Sequence, residues 1–384
     1  MKRFWTILLL AALLCGPVPA RAGAALDTAA LLEDFDFLRQ ALEADYPFLP
    51  LLADRGVDFD ALCASARRRT EACGGSLEGF YDGLSAMFAE MGRFAHLDVV
   101  PPELYRWYAD HPRQLNEPLR GMVGDERTRA AYGALGAARP REAAAFPELR
   151  ANWYPEEKAL VFRVASFEED LIDRDRRAVA EGLAAHPDAR HVAFDITGNR
   201  GGSDGYWSAV IVAPFGGAYR HEWADFARDT PLSRAYLGAE NLKPLSEYPG
   251  EIPAFAEKLG LTHFVSRTET VPFEPCSAAV ETDAKRWVLI DGGAYSAADG
   301  FARFCRDTGW AALAGAPTGG SGAKGGAPFV VRLPNTGLLV RFDAVAAANA
   351  DGTLNAETGT KPDVPCKPGE TPLRAFLRAI RPDH

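Results

Sequence analysis

Apolar residues recur at helical spacing through the first part of the chain, from residue 26 to about residue 98. The stretch "LDTAALLEDFDFLRQALEADYPFL" carries the first such pattern, and two further helices begin after Asp58 and Ser76, which are typical helix caps. The sequence therefore predicts a small helical domain over residues 26–98. Residues 99–150 are rich in Pro and Arg and have little strand pattern, so we expect a linker or irregular segment there.

Near residue 150 the pattern changes to alternating apolar strands and amphipathic helices. Strands are predicted at "ALVFRVASF", "RHVAFDIT", "RWVLIDG" and "AALAG", and "PFVVRLPNTGLLVRFDA" predicts a hairpin that turns at residues 334–337. This alternation predicts an α/β fold with a mostly parallel sheet over residues 151–384. Residues 218–283 are rich in Pro, Tyr and Leu and interrupt the alternation, so we expect an insertion there.

Residues 1–22 have the features of a secretory signal peptide. A short basic start precedes an apolar run from Phe4 to Leu14, and small residues around Ala22 fit a cleavage site. The run is shorter than the about 20 apolar residues that cross a bilayer. We therefore expect cleavage after Ala22, no stable membrane span, and an exported protein that is periplasmic or extracellular.

The net charge argues against nucleic acid as a partner. The 384-residue chain has a formal charge of -10, and removal of residues 1–22 takes away three basic residues and no acid, which leaves about -13. Nucleic-acid backbones bind basic faces. A protein this acidic is expected to act on other partners.

In the oxidising compartment that export implies, the cysteines are interpreted as disulfide candidates rather than as metal ligands. Five follow the expected cleavage site, and we expect Cys63 and Cys73 to form a disulfide that closes a short loop at a helix end. Cys276 and Cys366 are a second candidate pair. None of the cysteines has the spacing of metal ligands, so no metal and no cofactor is expected.

Two segments at predicted strand ends could carry chemistry, because reactive groups of α/β folds gather there. In "WVLIDGGAYSAADGFARF", Ser296 either caps a helix or acts as a nucleophile whose developing charge the helix N-terminus stabilises. In "FDITGNRGG", Gly201 and Gly202 either form a plain turn or offer N–H groups as an oxyanion hole. A phosphate cradle is excluded, because the segment lacks a P-loop lysine and dinucleotide spacing.

Two further segments contain candidate acids and bases. His96, in "FAEMGRFAHLDVV", follows a helix and is either a structural histidine or a general base. Glu357, in "DGTLNAETGTKPDVPC", is either a solvated loop carboxylate or the partner of a base. From the residues alone, both alternatives stay open.

The order of these motifs resembles that of the C-terminal processing (tail-specific) and tricorn-core family of serine peptidases. A helical region that ends in His, Asp-x-x-x-Asn-x-Gly-Gly, Ser-Ala-Ala-Asp, Pro-Thr-Gly-Gly, Leu-Pro-Asn-Thr-Gly and Glu-x-Gly-x-x-Pro-Asp follow one another over residues 26–366. The resemblance implies a ClpP/crotonase-like α/β core behind a helical domain. Only about 60 residues separate His96 from Ala159, too few for the PDZ domain of many members. The chain is therefore most similar to the PDZ-lacking subgroup, which includes modules of interphotoreceptor retinoid-binding protein.

Position by position, the resemblance also implies an acyl-enzyme mechanism. Its site residues are Ser296 as nucleophile, His96 as general base, Glu357 as the acid that orders the base, and Ala297, Gly201 and Gly202 as backbone donors of the oxyanion hole. Asp195 and Asn199 are expected to shape the glycine turn rather than to react.

Several positions depart from the family pattern. Ser321 stands where the tail-specific branch has the lysine of a serine–lysine dyad, and Lys324 is an alternative base that needs a gap to reach that position. Ala95 stands where the tricorn branch has a serine that bridges base and glutamate, so either Glu357 contacts His96 directly or the relay is incomplete. Asp299 is the acid three residues after Ser296, and Thr197 replaces the arginine of the glycine turn.

Two functions follow from these features. The first is an exported serine-type endopeptidase or hydrolase acting on peptide or protein substrates. The second is a binding module that holds an apolar ligand or a peptide in the same cleft, with the aromatic residues of the insertion as its lining. The presence of a candidate nucleophile, base and acid together favours the hydrolase.

Overall fold

In a computed structural model, the structure describes residues 26–92, 94–138, 148–274, 279–321 and 328–381. The expected signal peptide lies outside these ranges. The chain divides into two compact units, which we call unit 1 (Met1–Glu142, Phe226–Val265 and Gly325–Val345) and unit 2 (Ala143–Asp225, Ser266–Lys324 and Ala346–His384). The predicted division into a helical domain followed by one continuous core is therefore replaced by two interleaved units.

The α-helices of the described residues are α1 (Thr28–Asp45), α2 (Leu49–Asp54), α3 (Phe59–Ala72), α4 (Leu77–Met91), α5 (Pro102–Asp110), α6 (Glu117–Gly124), α7 (Glu126–Ala138), α8 (Ile172–Ala185), α9 (Asp204–Tyr206), α10 (Pro231–Leu237), α11 (Phe255–Lys258), α12 (Ala297–Thr308), α13 (Asn355–Thr358) and α14 (Pro372–Ile380). A π-helical turn, Trp207–Val212, continues α9. Short 3-10 turns lie at Pro112–Gln114, Glu169–Leu171, Ala213–Phe215 and Leu245–Glu247.

The strands are β1 (Leu97–Val99), β2 (Arg150–Tyr154), β3 (Ala159–Arg163), β4 (His191–Asp195), β5 (Tyr219–Ala227), β6 (Lys243–Pro244), β7 (His263–Val271), β8 (Lys285–Ile290), β9 (Ala312–Gly315), β10 (Phe329–Arg332), β11 (Leu339–Phe342), β12 (Val345–Ala347) and β13 (Val364–Pro365). Within the described ranges they form three sheets, with strand orders β1-β11-β10, β12-β5-β7-β6 and β13-β9-β8-β4-β3-β2.

The first helices of unit 1 begin at the caps that the sequence predicts. The side chain of Asp58 accepts the N–H of Ala61 at 2.9 Å, and that of Ser76 accepts the N–H of Gly79 at 3.1 Å. Each bond satisfies one of the N–H groups that a helix start leaves without an intrahelical partner. These helices bury the periodic apolar side chains that predicted them.

The expected irregular linker over residues 99–150 is wrong, because α5, α6 and α7 lie within it. Prolines stand in the first turn of α5 and α6, where the missing N–H costs nothing and the fixed φ suits a helix. The side chain of Asn116 caps α6 by accepting the N–H of Leu119 at 3.0 Å. The proline content that suggested a linker therefore marks helix starts.

The predicted hairpin and its turn are confirmed, but the hairpin lies in unit 1 and not in the predicted core. β10 and β11 pair antiparallel around residues 334–337, and Gly337 has φ +77, a conformation that favours glycine. Both strands belong to unit 1, where β11 also pairs with β1. The sequence analysis assigned this hairpin to the core because strand patterns do not reveal their partners.

Unit 2 contains the predicted mostly parallel sheet. Strands β13, β9, β8, β4 and β3 run parallel, and β2 is antiparallel at the edge. One face packs on a large cluster that includes Phe162, Phe301 and Trp310, and Phe376 of α14 packs on the other face. A sheet covered on both faces explains why its strands are nearly continuous apolar runs.

The insertion expected over residues 218–283 contains two long strands, β5 and β7, which lie beside each other in the β12-β5-β7-β6 sheet. The boundaries between the two units fall inside both strands, after Asp225 and after Val265. The described part of the segment therefore forms regular structure and contributes residues to both units. No helix among the described residues is both long and apolar enough to span a membrane.

The expected Cys63–Cys73 disulfide is wrong. Cys63 lies within α3 and Cys73 is its C-terminal cap, and both are free thiols. Ten residues of helix separate them by about 15 Å, whereas the Cα atoms of a disulfide lie within about 7 Å. Cys366 is also free, and its candidate partner Cys276 lies outside the described residues.

Candidate active site

Ser296 stands at the N-terminus of α12 but does not cap it. Its backbone has φ 58 and ψ -125, and its side chain makes no capping hydrogen bond. Within the described part of its own unit, no donor or acceptor is bonded to its hydroxyl, and the residue is partly exposed. A positive φ is costly for a residue with a Cβ and is retained mainly where function requires it. Of the two alternatives for Ser296, this geometry disfavours the cap.

The glycine turn packs directly against Ser296. A Cβ atom added at Gly201, which has φ +95, would lie 2.9 Å from the Cβ of Ser296 and 2.9 Å from the nitrogen of Ala297. Asn199 fixes this approach, since its backbone oxygen accepts the N–H of Tyr295 at 2.9 Å. Only glycine fits at position 201, because both the φ angle and the contact exclude a side chain.

The three expected oxyanion donors differ in availability. The N–H of Gly201 donates to Oδ1 of Asn199 at 2.8 Å and is therefore already used within the turn. Ala297 is the first residue of α12, where N–H groups have no intrahelical acceptor. Within the described part of unit 2, neither its N–H nor that of Gly202 donates a hydrogen bond. The donors left for an oxyanion are Ala297 and Gly202.

Asp299 holds three segments of the site together. It is fully buried, and its Oδ1 accepts hydrogen bonds from the hydroxyls of Thr318 and Thr360, the latter at 2.8 Å. The backbone oxygen of Gly320 in turn accepts the N–H of Ser296 at 3.1 Å. These bonds connect the start of α12 to Thr318 and Gly320, which precede α13 in the chain, and to Thr360, which follows it.

Glu357 lies on α13, close to the same segments. A Cβ atom added at Gly320 would meet the backbone oxygen of Asn355 at 2.5 Å, so α13 packs against the residue that bonds Ser296. The side chain of Glu357 is exposed and makes no hydrogen bond or ion pair with the residues described. Ser321 is buried with φ 63, and Lys324 lies outside the described ranges.

Arg163 places a guanidinium at the glycine turn, where the family pattern has an arginine and this chain has Thr197. Its Nη1 donates to the backbone oxygen of Asp195 at 2.9 Å and its Nη2 to that of Thr197 at 2.5 Å. Oδ1 of Asp195 accepts both the N–H and the hydroxyl of Thr197, at 3.0 and 2.7 Å. Asp195 and Asn199 thus shape the turn, as expected. The sequence analysis missed Arg163, because it comes from the neighbouring strand β3.

In unit 1, His96 is paired with Asp343 rather than with a residue that the sequence analysis named. Nδ1 of His96 lies 3.2 Å from Oδ1 and 3.0 Å from Oδ2 of Asp343, and Oδ2 also accepts the backbone N–H of His96 at 3.0 Å. The two side chains are only 10% and 6% exposed. A carboxylate can only accept, so Nδ1 carries a proton, and in a neutral ring Nε2 carries the lone pair. This is the tautomer that a general base needs.

A partly buried ion pair lies in the same part of unit 1. Asp98 accepts two hydrogen bonds from Arg341, at 2.6 and 2.8 Å, and the two residues face each other across β1 and β11. Burial lowers the pKa of Arg341, but the hydrogen bonds and charge of Asp98, with the charges of Tyr108 and Asp343, raise the pKa of Arg341 overall.

Replacing Gly201 by alanine is expected to lower kcat/KM for peptide hydrolysis by at least about 100-fold, the loss that follows removal of one oxyanion donor. The new methyl group would contact the peptide unit that carries the N–H of Ala297. Gly198 is a matched control in the same turn, because it has φ +69 but nothing within 4 Å of an added Cβ. Equal activity of the two alanine variants would contradict this role of Gly201.

Among the residues described, no three His, Cys, Asp or Glu side chains are arranged to hold a metal ion. A strained serine beside unused N–H groups can form and stabilise a tetrahedral adduct. In unit 1, a histidine ordered by a carboxylate has the chemistry of a general base.

Comparisons with known proteins identify similar folds and a matching family. A candidate peptidase from Parabacteroides merdae has a TM-score of 0.53 and 17% identity, covering 92% of this chain and 98% of its own. Mature CPAF has a TM-score of 0.51 and 13% identity, covering 92% of this chain and 96% of its own. At these identities the likeness concerns the fold alone. No curated protein sequence matches the chain. The sequence pattern of peptidase family S41 matches residues 158–366, more than half of the chain, so the chain belongs to peptidase family S41.

Proposed function

We propose that this serine peptidase is an exported endopeptidase that cleaves peptide bonds through an acyl-enzyme on Ser296. The observation that carries the proposal is the backbone of Ser296, held at φ 58 at the start of a helix that its side chain does not cap. Membership in family S41 supports hydrolysis of peptides or proteins. The first 22 residues support export, since their composition is that of a signal peptide.

The proposed reaction divides the catalytic groups between the two units. His96 of unit 1 removes the hydroxyl proton of Ser296 of unit 2 through Nε2, while Asp343 holds the Nδ1 proton and stabilises the imidazolium. The oxygen of Ser296 bonds to the carbonyl carbon of the substrate. The N–H groups of Ala297 and Gly202 stabilise the resulting oxyanion.

The adduct then collapses with cleavage of the peptide bond. The imidazolium of His96 gives its proton to the leaving amine, and the acyl group stays on the oxygen of Ser296. A water molecule loses a proton to His96 and attacks the ester, and the carboxylic product leaves as Ser296 regains its proton.

Labelling with a fluorophosphonate probe, followed by mass spectrometry of the labelled peptide, tests the proposal. We expect label on Ser296 of the parent protein, none on Ser296→Ala, and labelling slowed by at least about 1000-fold in His96→Ala. Lys324→Ala is expected to label at the parent rate. A parent that does not label would favour the binding module, and loss of labelling in Lys324→Ala with retention in His96→Ala would favour a serine–lysine dyad.

A further inference from the structure

We infer that Arg200 binds a carboxylate of the peptide substrate near the scissile bond, so that the enzyme prefers acidic peptides. The inference rests on the proposed peptidase function and names the substrate class of the same site. Three observations support it: the position of Arg200 near Ser296, the fixed backbone around Arg200, and its exposed guanidinium.

The backbone of Arg200 is fixed on both sides. Asn199, which precedes it, is fully buried and bonded through its side chain to the backbone of Val164 at 3.1 Å. Gly201, which follows it, would place an added Cβ 2.9 Å from the Cβ of Ser296. Consecutive Cα atoms are about 3.8 Å apart, so the Cα of Arg200 lies within about 8 Å of the Cβ of Ser296.

That distance brings a substrate side chain within reach. An extended peptide rises about 3.3 Å per residue, and an arginine side chain spans about two such steps. The guanidinium of Arg200 can therefore reach side chains within two residues of a peptide bond positioned at Ser296. A planar guanidinium binds a carboxylate through two parallel hydrogen bonds, which gives geometric selectivity as well as affinity.

The side chain of Arg200 is exposed, and none of the described residues forms an ion pair or hydrogen bond with it. The nearby acids are used by their own turns. Asp195 accepts two bonds from Thr197, and Asp204 accepts the indole N–H of Trp207 at 2.8 Å. Asp291 accepts the N–H groups of three residues in and beside the two turns, at 2.7 to 3.2 Å.

The overall negative charge of the protein makes a local cation important for binding an acidic substrate. The protein is strongly acidic overall, which repels an acidic peptide, so such a substrate needs a local cation at the site. Glu357, an acid, lies on α13, whereas Arg200 lies in the glycine turn that packs against Ser296. An acidic side chain of the substrate is therefore attracted to the glycine-turn side of Ser296.

The experiment compares cleavage of paired quenched-fluorescence peptides that differ only by Glu or Gln at each position within two residues of the cleaved bond. The parent is expected to cleave the best Glu peptide about tenfold faster in kcat/KM than its Gln partner, the size of one charge-assisted hydrogen bond. Arg200→Gln is expected to remove that preference and to leave the Gln peptide within about twofold. Arg190→Gln is the matched control, because it removes an exposed arginine at the opposite end of β4.

Each outcome is separable from failure of the proposed function. The fluorophosphonate probe is uncharged, so Arg200→Gln must label on Ser296 at the parent rate; a parent that does not label fails the peptidase proposal instead. If a parent protein that labels on Ser296 cleaves the Glu and Gln peptides with equal kcat/KM, the inference is overturned. It is also overturned if Arg200→Gln lowers kcat/KM equally for both peptides. If the parent instead prefers peptides with a free C-terminal carboxylate over the same peptides with an amidated C-terminus, the inference is supported. That result identifies the terminal carboxylate as the group that Arg200 binds.

Discussion

Ser296→Ala is expected to lower kcat for peptide hydrolysis by about 10⁶-fold, the loss that follows removal of a serine nucleophile in other hydrolases. The folded structure is expected to persist, because within the described part of its unit the hydroxyl of Ser296 makes no hydrogen bond whose loss would destabilise α12. Progress curves with a quenched peptide and a thermal melt of the same preparation measure both quantities.

A glycine variant separates catalysis from folding at this position. Ser296→Gly removes the Cβ that makes φ 58 unfavourable, so we expect an equally inactive protein whose free energy of unfolding is about 1 to 2 kcal/mol higher than that of Ser296→Ala. An active glycine or alanine variant would assign the nucleophile to another residue. A glycine variant less stable than the alanine variant would show that the backbone of Ser296 is not strained.

Asp343→Asn is expected to lower kcat by about 10⁴-fold, because an amide no longer fixes the tautomer of His96 or stabilises its charged form. The substitution keeps the size of the side chain and an oxygen that can accept the backbone N–H of His96. Glu357→Gln removes one carboxylate in the same way and is expected to change kcat by less than about tenfold. Measured kcat values and thermal melts of both variants provide the comparison.

The reverse result would restore the sequence-based assignment. If Glu357→Gln loses activity and Asp343→Asn keeps it, the acid that orders the base is Glu357. Asp343 would then be a structural residue of the β1–β11 pair. The prediction therefore distinguishes two carboxylates that the sequence could not rank.

Local features of the fold were predictable because their causes are local. Asp58 and Ser76 begin helices through bonds to residues three positions away, and Gly309 ends α12 in the left-handed conformation. Apolar runs identified β3 and β4 to within a few residues. Such features depend on hydrogen bonds and side-chain spacing within one segment, which the sequence displays directly.

The missed features depend on distant partners. Asp343 is 247 residues from His96, and Arg163 reaches the glycine turn from the neighbouring strand β3. Neither residue has a local pattern that indicates its contact. The missed helices α5 and α6 have a different cause, since their prolines were interpreted as breakers although they stand in the first turn.

The pairing of His96 with Asp343 also bears on how the enzyme is made. Strand β1 cannot pair with β11, and His96 cannot bond to its carboxylate, until the ribosome has added Asp343, which is 247 positions after His96. Nascent or prematurely terminated chains therefore lack an ordered base even though they already contain His96 and, in longer fragments, Ser296. On the proposed mechanism, a chain that ends before Asp343 is therefore expected to be inactive.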